Sequence, residues 1–137
     1  MAKLLDETAA GVFTIAATPF LPDGTLDLES IDRMVDFYEE KGATGLTILG
    51  IMGEAGKLSA EESDVVIARV TARASVPIIV GVSAPGLAAI KALADSAMDK
   101  GAAGVMVAPP SHLRTDDQIT GYFQMVADVL GKAPWVI

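Results

Sequence analysis

Two pairs of closely similar segments, interleaved along the chain, restrict its fold more than any other feature. The run Lys41-Gly42-Ala43-Thr44-Gly45-Leu46-Thr47-Ile48-Leu49 returns as Lys100-Gly101-Ala102-Ala103-Gly104-Val105-Met106-Val107-Ala108, an offset of 59 positions (41 to 100). Val76-Pro77-Ile78-Ile79-Val80 returns as Ala133-Pro134-Trp135-Val136-Ile137, an offset of 57 (76 to 133). Each segment is a short aliphatic run that follows an amphipathic stretch. Candidate strands therefore recur about every 30 residues with a helix between them, the spacing of consecutive βαβ units.

Helix signals fill the gaps. Between Asp27 and Lys41, the side chains of Leu28, Ile31, Val35 and Tyr38 share one face at helical spacing. Ser59-Ala60-Glu61-Glu62 and Thr115-Asp116-Asp117-Gln118 fit the capping box, in which a hydroxyl and the side chain three residues on satisfy each other's free N–H groups. These signals predict helices over 27–41, 60–75 and 86–100, and a fourth from 115 onward. Lys-Gly-Ala supplies the stop in two of them, a cation near the negative pole followed by a glycine for the left-handed cap. Strands are predicted at 12–18, 46–49, 78–82, 105–108 and 135–137. Their apolar character is continuous rather than alternating, as when both faces are covered. A right-handed series of this kind makes an open doubly wound α/β sheet or a TIM (β/α)8 barrel. Regular unit length favours the barrel, whose eight units total about 250 residues. On that reading residues 1–137 are a single domain, the N-terminal portion of a barrel holding about four and a half βα units, with no second domain.

Composition excludes several functions. A net charge of −8 leaves no basic stripe to neutralise phosphates, so no nucleic acid partner is expected. Hydrophobic residues make up 51% and the mean hydropathy is +0.45. Even so, no apolar run approaches the roughly 18–20 residues that span a bilayer, and no membrane partner is expected. The absence of cysteine removes disulfides, zinc thiolates and cysteine nucleophiles, and one histidine among scattered carboxylates makes no metal site. No cofactor is expected. Residues 1–7 lack the apolar stretch of a secretory signal, so a cytoplasmic location is expected.

The second strand runs into Gly50-Ile51-Met52-Gly53-Glu54. Two closely spaced glycines at a strand end place bare backbone there, whose N–H groups suit a small anion. In a barrel, such a turn lies at the C-terminal mouth, where active sites are built. The plainer alternative is a tight connection in which Gly50 and Gly53 only turn the chain while Ile51 and Met52 fill apolar space. Glu54 would repel an anionic ligand, so its expected role is structural, accepting backbone or hydroxyl hydrogen bonds that hold the turn. Thr18 either hydrogen-bonds into the site or caps the turn at Pro19. His112 and Arg114, after the fourth strand, read as a proton carrier and a distal carboxylate ligand. Equally they read as ordinary exposed polar residues ahead of the cap at Thr115.

The opening Phe13-Thr14-Ile15-Ala16-Ala17-Thr18-Pro19-Phe20 with Asp23-Gly24 and Asp27, the Gly50–Glu54 stretch with Glu62 beyond it, the Val76–Val82 strand and the Lys-Gly-Ala-x-Gly elements together resemble the dihydrodipicolinate synthase / N-acetylneuraminate lyase superfamily. The resemblance covers the whole chain but only the N-terminal half of the family fold. It implies a class I (Schiff-base) lyase on a TIM barrel, acting on pyruvate or another small 2-oxo acid by aldol, dehydration or condensation chemistry. It further implies that Gly50, Ile51, Met52 and Gly53 receive the substrate carboxylate through backbone N–H groups, with Thr18, His112 and Arg114 as candidate substrate contacts. The family's lysine on the sixth strand and its usual tyrosine just past the fifth lie beyond Ile137, so no catalytic residue is expected in this segment, which by itself is expected to be inactive. Ile51 and Met52 stand where the family usually shows two threonines. Their amides remain, but no hydroxyl relays a proton, which points to a divergent subfamily. The loop from Pro109 to Arg114 also lacks the tyrosine that dihydrodipicolinate synthases often place there.

The lysines fit this division. Lys41, Lys100 and Lys132 close helices at the opposite end, Lys91 lies within a helix, Lys3 is terminal, and Lys57 after the glycine turn is expected to be exposed. A parallel sheet stopping at its fifth strand leaves apolar edges at 12–18 and 135–137, and leaves Trp135 without a partner layer. The chain is therefore expected to form a homo-oligomer or to pair with a C-terminal half. The rival reading is a non-catalytic half-barrel that self-associates or binds a small carboxylate without turning it over.

Overall fold

Five strands, β1 (Phe13–Ile15), β2 (Gly45–Ile48), β3 (Ile78–Gly81), β4 (Gly104–Met106) and β5 (Trp135–Val136), alternate with four helices, α1 (Leu28–Glu40), α2 (Ala60–Arg73), α3 (Leu87–Asp99) and α4 (Asp116–Leu130). This is the arrangement in a computed structural model, which describes residues 4–137 and leaves Lys3 outside the described residues. Every strand pairing is parallel and the spatial order is β1-β2-β3-β4-β5. A doubly wound sheet reverses its strand order at a switch point. Here the order never reverses, so successive crossovers lay their helices on the same face. The sheet is an arc of a (β/α)8 barrel.

The two faces differ accordingly. On the helix side, Leu46, Ile48, Ile78, Val80, Val82, Val105 and Val107 merge with Ile31 and Val35 of α1, Val66, Ile67 and Val70 of α2, Ile90 and Ala94 of α3, and Val126 of α4 into one buried core. Burial of such a side chain contributes about 1.5–3 kcal/mol, so this layer carries most of the stability. The concave side takes the alternate residues. Ile15, Thr47, Ile79 and Gly104 form one register row, and Gly81, Met106 and Val136 the next. Ile79 is buried, but Ile15 at the β1 edge is 40% exposed and Val136 at the β5 edge is 37% exposed.

Caps form where the sequence places them. Asp27 accepts from the Ser30 N–H at 2.9 Å, and the boxes at Ser59/Glu62 and Thr115/Gln118 are both closed. Gly42 and Gly101 follow α1 and α3 with φ of 88° and 93°. Strand 12–18 is shorter than expected. The Ala16 N–H still reaches the Thr47 carbonyl at 2.9 Å, but Thr18 then turns toward Gly53, and Pro19 leads into a hairpin that pairs Phe20 with Leu26. The expectation that Trp135 lacks a partner layer is overturned. α4 covers it, and the indole stacks on Phe123 with centroids 6.0 Å apart and planes at 18°.

Ion pairs link the helices around the outside. Asp32 accepts two bonds from Arg69 at 2.8 and 2.7 Å, Asp36 pairs in the same way with Arg73, and Glu39 accepts from the N–H and hydroxyl of Ser75 at 2.7 and 2.6 Å. These contacts fix α1 against α2. Asp64 accepts from the Ser96 hydroxyl at 2.7 Å and lies 3.2 Å from the Lys100 ammonium, fixing α2 against α3. The outer ring is thereby held in register along the lengths of α1, α2 and α3.

Candidate functional site

At the C-terminal end of β2 the backbone leaves extended geometry abruptly. Leu49 and Glu54, neither of them glycine, both sit at φ 55° in the left-handed region, each at a cost of about 1–3 kcal/mol. Between them Gly50–Gly53 makes a tight turn closed by the Glu54 N–H donating to the Ile51 carbonyl at 3.0 Å. Packing enforces this shape. A Cβ on Gly81 would lie 2.2 Å from the Leu49 carbonyl oxygen, and one on Gly53 would lie 2.9 Å from the Leu49 nitrogen. Only bare backbone lets β3 and the far limb of the turn approach this closely.

Thr18 provides the third hold. Its hydroxyl, buried, donates to the Gly53 carbonyl at 2.6 Å across 35 positions of sequence. It therefore neither caps the Pro19 turn nor points its proton into the mouth; it pins the turn. The role expected of Glu54 falls to Thr18 instead. Among the described residues the Glu54 carboxylate makes no bond to backbone or hydroxyl; it stands 3.3 Å from the Lys57 ammonium, in an exposed pair flanking and closing a short 3₁₀ turn, Ala55–Lys57.

Held in this way, the amides of Gly50, Ile51, Met52 and Gly53 find no protein acceptor among the described residues. Backbone N–H groups are strong donors that normally find partners, so an unpaired run is a place where a ligand or water binds. Ile51 and Met52, 91% and 63% exposed, fill no apolar space among the described residues. That removes the apolar-plug version of the plainer reading.

The turn forms one wall of a cavity of about 720 Å³ at the mouth of the arc, floored by Ile15, Leu49, Met106 and Ala108 and bordered by Lys57 and Ser83. The Ser83 hydroxyl accepts the Ala108 N–H at 2.9 Å and ties the loop after β3 to the loop after β4. A larger depression of about 810 Å³ lies outside, between α1 and α2, but its charged groups are already matched as Asp32–Arg69 and Asp36–Arg73. The mouth cavity is the better ligand site because its donors are unmatched.

His112 and Arg114 are exposed and do not line the mouth cavity; the Arg114 backbone N–H donates to Gln118 at the start of α4. Lys57 is the lysine nearest the turn and projects to solvent, its side chain 72% exposed. Lys91 and Lys100 pair with Asp95 and Asp64 on the outer helices. No group of His, Asp or Glu among the described residues could hold a metal ion, and none of the helices is long and apolar enough to cross a membrane. Sequence reasoning missed Ser83, Met106 and the left-handed Leu49. Ser83 carried a usable signal, since it falls two positions beyond Gly81 at the end of a predicted strand.

With this geometry in view, comparison with known proteins is informative. The model of the Dihydrodipicolinate synthetase family matches residues 8–137. The chain is 34% identical over 122 residues to the 4-hydroxy-tetrahydrodipicolinate synthase of Xanthomonas campestris, covering 87% of this chain and 40% of that protein. Among solved structures, the dihydrodipicolinate synthase of Rhodopseudomonas palustris is 54% identical with a TM-score of 0.94, over 98% of this chain and 45% of that one. A prophage protein of E. coli K12 from the dihydrodipicolinic acid synthase family, solved in complex with pyruvate, is 27% identical with a TM-score of 0.81, over 91% of this chain and 43% of its own. The chain thus spans less than half the length of these relatives. Single winding, the glycine turn after β2 and these matches agree: the chain belongs to the dihydrodipicolinate synthetase family.

Proposed function

We propose that Gly50–Gly53 is the carboxylate-binding turn of a class I lyase acting on pyruvate or another small 2-oxo acid. The observation that carries this is the run of four unpaired amides, held by Thr18 and by the close packing of Gly81 at the mouth of a barrel arc. The pyruvate complex of the E. coli relative supports the ligand class. Each amide bond to a carboxylate is charge-assisted and about twice as strong as a neutral one. Because the turn is already folded around its strained residues, little ordering is needed on binding. The residues of this chain bind and orient the acid; the amine that forms a Schiff base with its keto group comes from outside residues 1–137. Family membership favours this reading over a non-catalytic, self-associating module.

Two measurements test it. In a chain labelled with ¹⁵N at glycine, isoleucine and methionine, pyruvate should shift the Gly50–Gly53 amide resonances, with smaller changes elsewhere. Absence of those shifts at saturating pyruvate removes the turn from the site. Borohydride trapping with pyruvate should label the complete protein on a lysine beyond Ile137, and a label within 1–137 refutes the division of labour. The half-exposed edges at Ile15 and Val136 further lead us to expect a homo-oligomer or pairing with further βα units. A monomer of residues 1–137 with one sharp unfolding transition would contradict that expectation.

A further inference from the structure

Among the described methionines Met52 is the most exposed, at 63%; Met125 on α4 follows at 48%, while Met34, Met98 and Met106 are half-buried. Met52 also lines the mouth cavity, which Met125 does not. Its own N–H belongs to the run of amides from Gly50 to Gly53 that find no acceptor among the described residues. An accessible thioether therefore stands on the same short turn as a set of free donors. A thioether sulfur is a weak acceptor, so the reduced side chain leaves those donors to a ligand. Oxidation to the sulfoxide reverses that. It turns a flexible apolar side chain into a polar one carrying an acceptor oxygen. That oxygen sits on the side-chain δ atom, where glutamine carries its amide oxygen.

We propose that Met52 is an oxidation site at which a peroxide switches the turn off: the sulfoxide oxygen accepts from the turn's own N–H groups and competes with the ligand carboxylate. The inference rests on the reading of Gly50–Gly53 as the carboxylate site. In the chemical step the sulfur lone pair attacks one peroxide oxygen and the O–O bond breaks. Sulfur is oxidised to the sulfoxide, and the other oxygen, reduced, leaves as water with both peroxide protons. Polar side chains close such local bonds to backbone N–H groups in turns, because donor and acceptor are only a few covalent bonds apart. Nothing packs the Met52 side chain away from its own backbone, since most of its surface faces solvent. The change is reversible, because methionine sulfoxide reductases restore the thioether.

The test treats the 137-residue chain with hydrogen peroxide, removes the excess with catalase, maps the oxidised methionines by peptide mass and titrates pyruvate through the Gly50–Gly53 amides. Met52 and Met125 should convert before Met34, Met98 and Met106. Conversion should weaken pyruvate binding by about three- to tenfold, the worth of one hydrogen bond withdrawn from the carboxylate, and methionine sulfoxide reductases should restore it. The treated-to-untreated ratio should be about one in Met52→Leu and as in the wild type in Met125→Leu. Met52→Gln, which carries an acceptor oxygen without any oxidant, should bind pyruvate about three- to tenfold more weakly than Met52→Leu. Unchanged affinity in wild type whose Met52 is converted overturns the inference without any variant having to fold. So do an equal loss in Met52→Leu, equal affinities in the glutamine and leucine variants, and conversion of Met52 no faster than the half-buried methionines. If pyruvate fails to shift the turn amides before any oxidation, the carboxylate assignment itself fails, and the inference with it.

Discussion

Thr18→Val isolates the contact that holds the glycine turn. Valine matches threonine in shape, so the substitution removes the donated bond at 2.6 Å and leaves the buried Gly53 carbonyl without that partner. An orphaned buried acceptor costs about 1–3 kcal/mol, and the methyl that replaces the hydroxyl returns up to about 0.8 kcal/mol through burial. The net is a destabilisation of about 1–2 kcal/mol. With a urea slope of about 1–3 kcal/mol/M, the midpoint should fall by roughly 0.3–2 M. Trp135, the chain's single tryptophan, stacks on Phe123 in the α4 layer and reports global unfolding by fluorescence. Thr18→Ser should keep most of the stability because it keeps the hydroxyl. The turn amides should lose pyruvate affinity in the valine variant by more than in the serine variant. An unchanged midpoint together with unchanged pyruvate shifts in Thr18→Val would refute the claim that this bond shapes the turn.

Gly81→Ala should be more damaging to binding than its size suggests. The new Cβ meets the Leu49 carbonyl at 2.2 Å, so Leu49 must move by about 1 Å, a displacement that can cost about a hundredfold when a site depends on it; pyruvate titration and thermal unfolding would both register it. Tyr122→Phe should be neutral or stabilising by up to about 1 kcal/mol in urea melts, because the Tyr122 hydroxyl is buried without a hydrogen-bond partner among the described residues and burial pushes its pKa up. Acid should weaken the outer ring. Hydrogen bonds from Arg69 and Arg73 hold Asp32 and Asp36 below the ordinary 3.8, and Ser96 and Lys100 do the same for Asp64. The folded chain therefore binds fewer protons than the unfolded one, so this contribution is complete above the unfolded value and is lost as pH falls through the depressed ones. Urea midpoints should stay level down to about pH 5 and fall below about pH 4, and Asp32→Asn should flatten that fall.

Much of the architecture is legible in residue order because it depends on interactions a few positions apart. Capping at Ser59 and Thr115, the stops at Gly42 and Gly101, and the apolar face of Leu28, Ile31 and Val35 all act within a helical turn or two. The interleaved repeats extend this to a βα series. Element ends were less legible: β1 stops at Ile15 because Thr18 is drawn to a partner 35 positions away, which no local window contains.

The sequence by itself determined the βα series, the helix boundaries to within a residue or two, and the place of the glycine turn after the second strand, while the unreversed strand order decided between barrel and doubly wound sheet. Tertiary structure decided how that turn is held and what surrounds it. Leu49 and Glu54 adopt left-handed backbone because Gly81 and Thr18 leave the chain no roomier path. Trp135 gains a partner because α4 folds back over β5. Ser83 ties two loops at the mouth only once β4 brings the Ala108 N–H alongside it. The physical division is one of range: propensity, capping and periodicity are local free energies written into adjacent residues, whereas close backbone approach and buried hydrogen bonds exist only once distant strands are packed.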